Sequence, residues 1–145
     1  MKLLITIPCL NEELTIKSVI EAIPSNIEGV SCIDILVVDD GSSDKTSNNA
    51  KELGVIVINH KQNLGVGEAF KTSYKFAVEH DYDLMVNMDG DNQFDSNEIN
   101  YINPKRDHDD PEIIWDCSLH FMVFDRELMR KVADEITLDE YLKPS

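Results

Sequence analysis

The sequence predicts an α/β fold: a mostly parallel sheet with helices on both faces. Three observations carry this. Four short apolar runs, Lys2 to Pro8, Ile33 to Val38, Val55 to Ile58 and Leu84 to Met88, read as strands. Runs that are apolar at nearly every position are buried on both faces, as strands in a helix-covered parallel sheet are. Between them lie three stretches with helical spacing or helix-end signals, so the order is β-α-β-α-β-α-β, the alternation of a parallel sheet with right-handed crossovers. Finally, polar clusters follow Pro8, Val38 and Met88. In such sheets, ligands bind beyond the carboxyl ends of the strands.

The elements follow in order. Asn11 is placed to cap the first helix, with Glu12 and Glu13 in its first turn, where carboxylates meet the positive end of the helix dipole. Ile16, Val19, Ile20 and Ile23 recur at helical spacing until Pro24. A polar helix is expected from Asp44 to Leu53, closed by Gly54 just past its end. Asn63-Leu64-Gly65-Val66-Gly67 reads as a loop, and Ala69, Phe70, Ser73, Tyr74 and Ala77 mark one face of the third helix. Beyond the fourth strand, Ser96 to Ile102 reads as a short helix and Asn103 to Pro111 as a polar loop. Leu119, Phe121 and Val123 alternate with polar or less apolar neighbours, as a strand does, and Leu128, Met129, Val132, Ala133 and Ile136 mark a last helix face. The 145 residues suit one domain.

Composition narrows the function. A net charge of −15 argues against coating nucleic acid, where phosphate must be neutralised by Lys and Arg, and against broad adhesion to an anionic membrane. Cys9, Cys32 and Cys117 are odd in number, with no C-x-x-C spacing, which suggests neither a zinc site nor a disulfide framework and favours a reduced, cytoplasmic compartment. No apolar run approaches a membrane span, and the opening MKLLITIPCLNEE lacks a small-residue cleavage site and reads as a strand.

The clusters after the strands carry the chemistry. Asp89-Gly90-Asp91 places two carboxylates in one turn, where they can converge on a hard cation such as Mg²⁺ or Mn²⁺. Gly90 allows the turn and leaves room for a ligand. Alone, the pattern also fits an acidic turn closing a strand. Asp39 and Asp40 can accept hydrogen bonds from a base edge or a ribose, or simply cap the next helix. Pro8, Asn11 and Glu12 form the first loop, and Asn63 to Gly67 can bring backbone N–H groups to a ligand. His60, His80, His108 and His120 show no metal or triad spacing and read as surface or partly buried residues. A phospho-receiver domain shares an acidic pair after a strand, but a β-α unit precedes that pair here.

Taken together, IPCLNEE, ILVVDDGSSDKT, NLGVGEAFKTSY and DLMVNMDGDNQFD resemble the family 2 glycosyltransferases of GT-A (Rossmann-like) fold, especially the dolichyl- and polyprenyl-phosphate sugar synthases. The resemblance covers residues 2 to about 102 and rests on four motifs in order. It implies a UDP- or GDP-linked nucleotide sugar, Mg²⁺ or Mn²⁺, and an acceptor such as a polyprenyl phosphate. By position, Pro8, Asn11 and Glu12 would line the nucleotide, and one or both of Asp39 and Asp40 would contact base or ribose. Gly65 and Ala69 would shape the donor pocket. Asp89, Gly90 and Asp91 would serve the diphosphate, with Asp89 and Asp91 on the metal and Asp91 the direct, catalytic ligand.

The last third departs from the family pattern. Asp116 to Glu127 looks like a late family segment, D-x-x-S-G-F-R-x-F-x-R-E, but Asn103 to Trp115 is too short for the strand and acceptor loop expected before it. The expectation is therefore an internally deleted or truncated member with a shortened C-terminal part. Residues 1–102 form the nucleotide-sugar half and 103–145 an acceptor-side remnant, with acceptor binding and turnover weakened or lost. A cytoplasmic protein, peripheral at the membrane face, follows from such an acceptor. A shortened sheet exposes an edge, which implies a homodimer that a light-scattering concentration series checks.

Overall fold

A computed structural model describes residues 1–88 and 121–136. The elements are β1 (Lys2–Cys9), α1 (Ile16–Ala22), β2 (Cys32–Asp39), α2 (Thr46–Glu52), β3 (Ile56–Asn59), α3 (Val66–Glu79), β4 (Leu84–Met88), β5 (Phe121–Asp125) and α4 (Arg126–Ile136). They form a sheet ordered β3-β2-β1-β4-β5. The first four strands are mutually parallel and β5 runs antiparallel beside β4.

The apolar runs became strands because each has two faces to bury. On one face, Leu3, Ile5, Ile7, Val37, Val86 and Met88 pack against Ile16, Val19 and Ile20 of α1 and Ala50 of α2. On the other, Leu4, Leu36, Val38 and Met85 pack against Ala69, Tyr74 and Ala77 of α3 and Met129 of α4. Full burial of one such aliphatic side chain contributes about 1.5–3 kcal/mol, and most of β1 is sealed from solvent. Polar side chains buried in this interior are hydrogen-bonded: the Thr6 hydroxyl donates to Asn87 Oδ1 at 2.8 Å, between neighbours in the β1–β4 register, and the Ser73 hydroxyl on α3 donates to the Ala69 carbonyl at 3.1 Å.

Topology explains the helix placement. The chain moves outward from β1 to β2 to β3 with α1 and α2 on one face, then returns across to β4 with α3 on the other. Crossovers of constant hand that reverse direction must change face. The strand order therefore switches between β1 and β4, and the carboxyl edge at such a switch is where ligands of open α/β sheets bind.

Local expectations changed in several places: α2 starts at Thr46 and not Asp44, and α3 starts at Val66, inside the stretch expected as a loop. Asn11 does not cap α1, which starts at Ile16 with no side-chain cap and no acidic residue in its first turn. Asn11 instead turns the chain at φ 53°, and Glu12 and Glu13 lie ahead of the helix. The reason is competition from a distant partner, described below. β3 sits one residue later than expected, and Asn59 pairs with Asp39. Gly54 ends the second helix as expected, at φ 77°. The expected helix at Ser96 to Ile102 and the loop at Asn103 to Pro111 lie outside the described residues.

Candidate functional site at the carboxyl edge of the sheet

The register sets Cys9, Asp39 and Asn59 side by side at the ends of β1, β2 and β3. β4 ends in buried Met88 at the same edge. Asp89, Gly90 and Asp91, the expected metal and diphosphate residues, lie outside the described residues.

The first two loops are laced together by side chains from each. Asn11 N–H donates to Ser42 Oγ at 2.8 Å, and Asn11 Oδ1 accepts the Ser43 N–H at 2.9 Å. Glu12 N–H donates to Thr46 Oγ1 at 2.8 Å. Glu13 N–H donates to Asp44 Oδ2 at 3.3 Å, while Glu13 Oε2 accepts the Lys45 N–H at 3.2 Å. These contacts span 31 to 34 residues of chain. They account for the conformation of Asn11, a residue type that tolerates positive φ. Pro8 is half-buried in β1 opposite Val38.

Asp39 and Asp40 have different surroundings. Asp39 ends β2 and is buried; its Oδ1 accepts the Ser42 N–H at 2.8 Å. Its other oxygen has no hydrogen-bond partner among the described residues. Asp40 is engaged at both oxygens. Oδ1 takes the Leu64 N–H at 2.9 Å and His60 Nδ1 at 2.7 Å, and Oδ2 takes the Gly65 N–H at 2.9 Å. Asp40 thus holds the loop that leads into α3.

Gly41 and Gly65 have separate reasons to be glycine. A Cβ on Gly41 would stand 2.5 Å from the Gln62 carbonyl carbon and 2.6 Å from Asn63 N, and its φ is +83°. The loop entering α3 lies directly on the Gly41 backbone. Gly65 has open space around it but adopts φ +98°, a conformation that only glycine takes readily. Ala69, expected near the donor, is buried in the core beneath this loop, with Leu4, Leu36 and Val38.

Electrostatics at this edge are negative. Burial pushes the Cys9 thiol up to about 12, and the nearby Asp39, Glu12, Asp44 and Asp40 add to the rise. Cys9 therefore stays a neutral, packed thiol. Burial raises the Asp44 carboxyl, but hydrogen bonds from the Thr46 side chain and the Thr46 and Glu13 backbone outweigh it and leave it below its ordinary value. No group of three or more His, Cys, Asp and Glu residues among the described ones is arranged to hold a metal alone.

Sequence reasoning missed Gly41, Thr46 and His60. For His60 a signal existed: Asp40 and His60 each follow one member of the Asp39–Asn59 pair, so strand register alone sets them together. Gly41 and Thr46 could be read only once the loops were known to cross.

The fold agrees with known proteins. The chain is 36% identical to the UDP-N-acetylglucosamine–dolichyl-phosphate N-acetylglucosaminyltransferase of Methanococcus voltae over 110 residues, covering 64% of this chain and 42% of that enzyme. It is 32% identical to the undecaprenyl-phosphate mannosyltransferase of Micrococcus luteus over 100 residues, covering 63% of this chain and 38% of that one. Among solved structures, it is similar to the glucosyl-3-phosphoglycerate synthase of Mycobacterium tuberculosis in complex with Mn²⁺, UDP and phosphoglyceric acid. That likeness has a TM-score of 0.51 and 33% identity, over 61% of this chain and 32% of the synthase. The chain thus spans well under half the length of each of these proteins. The GT-A class expected from the motifs is borne out, and the phospho-receiver alternative falls away. The family model described as Glycosyl transferase family 2 matches residues 4–131. That match runs from within β1 into α4, leaves no strand of the described sheet outside it, and shows that the chain belongs to this family.

Proposed function

We propose that this chain carries the donor site of a metal-dependent glycosyltransferase, taking a UDP- or GDP-linked sugar for transfer to an acceptor of the polyprenyl-phosphate type. The observation that carries the reading is the pair of laced loops at the switch in strand order, which hold Asp39 with one carboxylate oxygen unpartnered among the described residues. Residues 1–102 hold the donor side and 103–145 the shortened acceptor side. The neighbours' complexes with UDP and Mn²⁺ and the relatives' lipid-phosphate names support it.

Each residue has a role in this reading. Asp39 accepts a hydrogen bond from the base or ribose, while Pro8, Asn11 and Glu12 form the wall beside it. Asp40 holds the Leu64–Gly65 turn and does not itself meet the nucleotide. An edge crowded with carboxylates repels a bare diphosphate and suits a hard cation with oxygen ligands. Asp89 and Asp91 would hold Mg²⁺ or Mn²⁺, which when bound neutralises charge on the departing diphosphate. No helix among the described residues is long and apolar enough to cross a membrane. A lipid-phosphate acceptor would bring the chain to the cytoplasmic membrane face as a peripheral protein.

Thermal unfolding with UDP, GDP and their sugar conjugates, each with and without Mn²⁺, tests this. A nucleotide at about a hundred times its dissociation constant stabilises the fold by roughly 2.7 kcal/mol. We expect an upward shift for one base, only with metal. A cooperative transition that no nucleotide moves would sink the donor-site reading. Binding without sugar transfer would place acceptor recognition outside this chain.

A further inference from the structure

His60 is held at both ring nitrogens. Nδ1 lies 2.7 Å from Asp40 Oδ1, and Nε2 lies 2.8 Å from Thr72 Oγ1 on α3. The side chain is 10% exposed. With a carboxylate opposite, Nδ1 is the nitrogen that carries a proton and donates. One ring therefore joins the end of β3, the end of β2 and the side of α3.

What it holds is the turn into α3. Asp40 accepts the Leu64 and Gly65 N–H groups, and Gly65 directly precedes α3. Apolar packing contributes little there: Leu64 is 47% and Val66 65% exposed. Nothing lies within 4 Å of a Cβ built on Gly65. The turn is thus fixed by a polar brace, and a carboxylate with three donors is oriented by all of them together.

We propose that His60 is a positioning residue for the nucleotide-donor site. It orients Asp40 and, through it, holds the Leu64–Gly65 turn in the shape that borders the donor, without touching the nucleotide. This rests on the donor-site reading. The donation from Nδ1 to Asp40 is the essential bond, and the contact with Thr72 sets the ring plane.

The test compares His60→Leu and His60→Asn with the natural 145-residue chain. The asparagine amide can take the place of Nδ1 as donor, whereas leucine cannot. Two quantities are read: backbone amide hydrogen exchange at Leu64 and Gly65, and affinity for UDP with Mn²⁺ by titration calorimetry. In His60→Leu, both amides are expected to exchange about tenfold faster and UDP to bind about tenfold more weakly, the effect of one charge-assisted hydrogen bond. His60→Asn should recover most of both. Unchanged exchange and affinity in His60→Leu would overturn the proposal, as would an asparagine variant no better than leucine. If His60→Leu fails to fold, His60→Ser replaces it: its hydroxyl is too short to reach Asp40, so both amides should again exchange faster than in His60→Asn, and protection equal to that of the unsubstituted chain overturns the idea. Should the natural chain bind no UDP, the donor reading fails, and amide exchange alone still decides whether His60 holds the turn.

Discussion

Replacing Gly41 by alanine is expected to destabilise the fold by about 3 kcal/mol or more, lowering the melting temperature by roughly 6–12 °C for a chain of this size. Two costs add. The backbone sits at φ +83°, where a side chain is strained, and the new Cβ would press on Gln62 and Asn63 backbone atoms at 2.5 and 2.6 Å. Backbone cannot swing aside as a flexible side chain can, so the loop must lift. Lifting it pulls Leu64 and Gly65 away from Asp40. Gly54→Ala is the matched control. Its φ is +77° and no atom lies within 4 Å, so only the conformational cost of about 1 kcal/mol remains. Urea unfolding of both variants measures the difference. If Gly41→Ala proved as mild as Gly54→Ala, the loop would not rest on Gly41 as described.

The adjacent aspartates are expected to separate cleanly when each becomes asparagine. Asp40→Asn keeps volume but sets an amide nitrogen against N–H donors that the carboxylate accepted from His60, Leu64 and Gly65. Leaving part-buried donors unpaired and removing a charge-assisted acceptor costs about 2 kcal/mol. Asp39→Asn retains an oxygen for the Ser42 N–H, the sole bond seen for that side chain among the described residues. Its stability should fall by no more than about 1 kcal/mol, while nucleotide-induced stabilisation is lost. Thermal unfolding with and without UDP and Mn²⁺ reads both properties at once. A reversed pattern, with Asp39 governing stability and Asp40 only binding, would exchange the roles assigned to them.

How much of this was legible beforehand depended on the range of the forces involved. Strands β1, β2 and β4 were readable because both their faces are largely covered and nearly every position is apolar. The site edge was readable because polar residues stop such runs where chain meets solvent. Asn11 was misread because capping is a local rule, and its actual partners, Ser42 and Ser43, lie 31 and 32 residues away. His60 was passed over for the same reason: Asp40 and Thr72 come to it from β2 and α3, through a strand register that spacing alone does not display. The different hydrogen-bond partners of Asp39 and Asp40 are likewise a product of tertiary contacts, since in sequence they are identical neighbours.

The central claim is that a metal–nucleotide site lies at the carboxyl edge of β1, β2 and β4, and Mn²⁺ reports its place directly. In amide spectra of the labelled chain with UDP, paramagnetic Mn²⁺ should broaden resonances of Asn11, Ser42 and Gly65, which lie in the loops beyond that edge. Lys2, Cys32 and Leu84, at the other ends of the same strands, should stay sharp. Broadening centred on Lys2, Cys32 and Leu84, or none at the carboxyl edge with UDP present, would contradict the account.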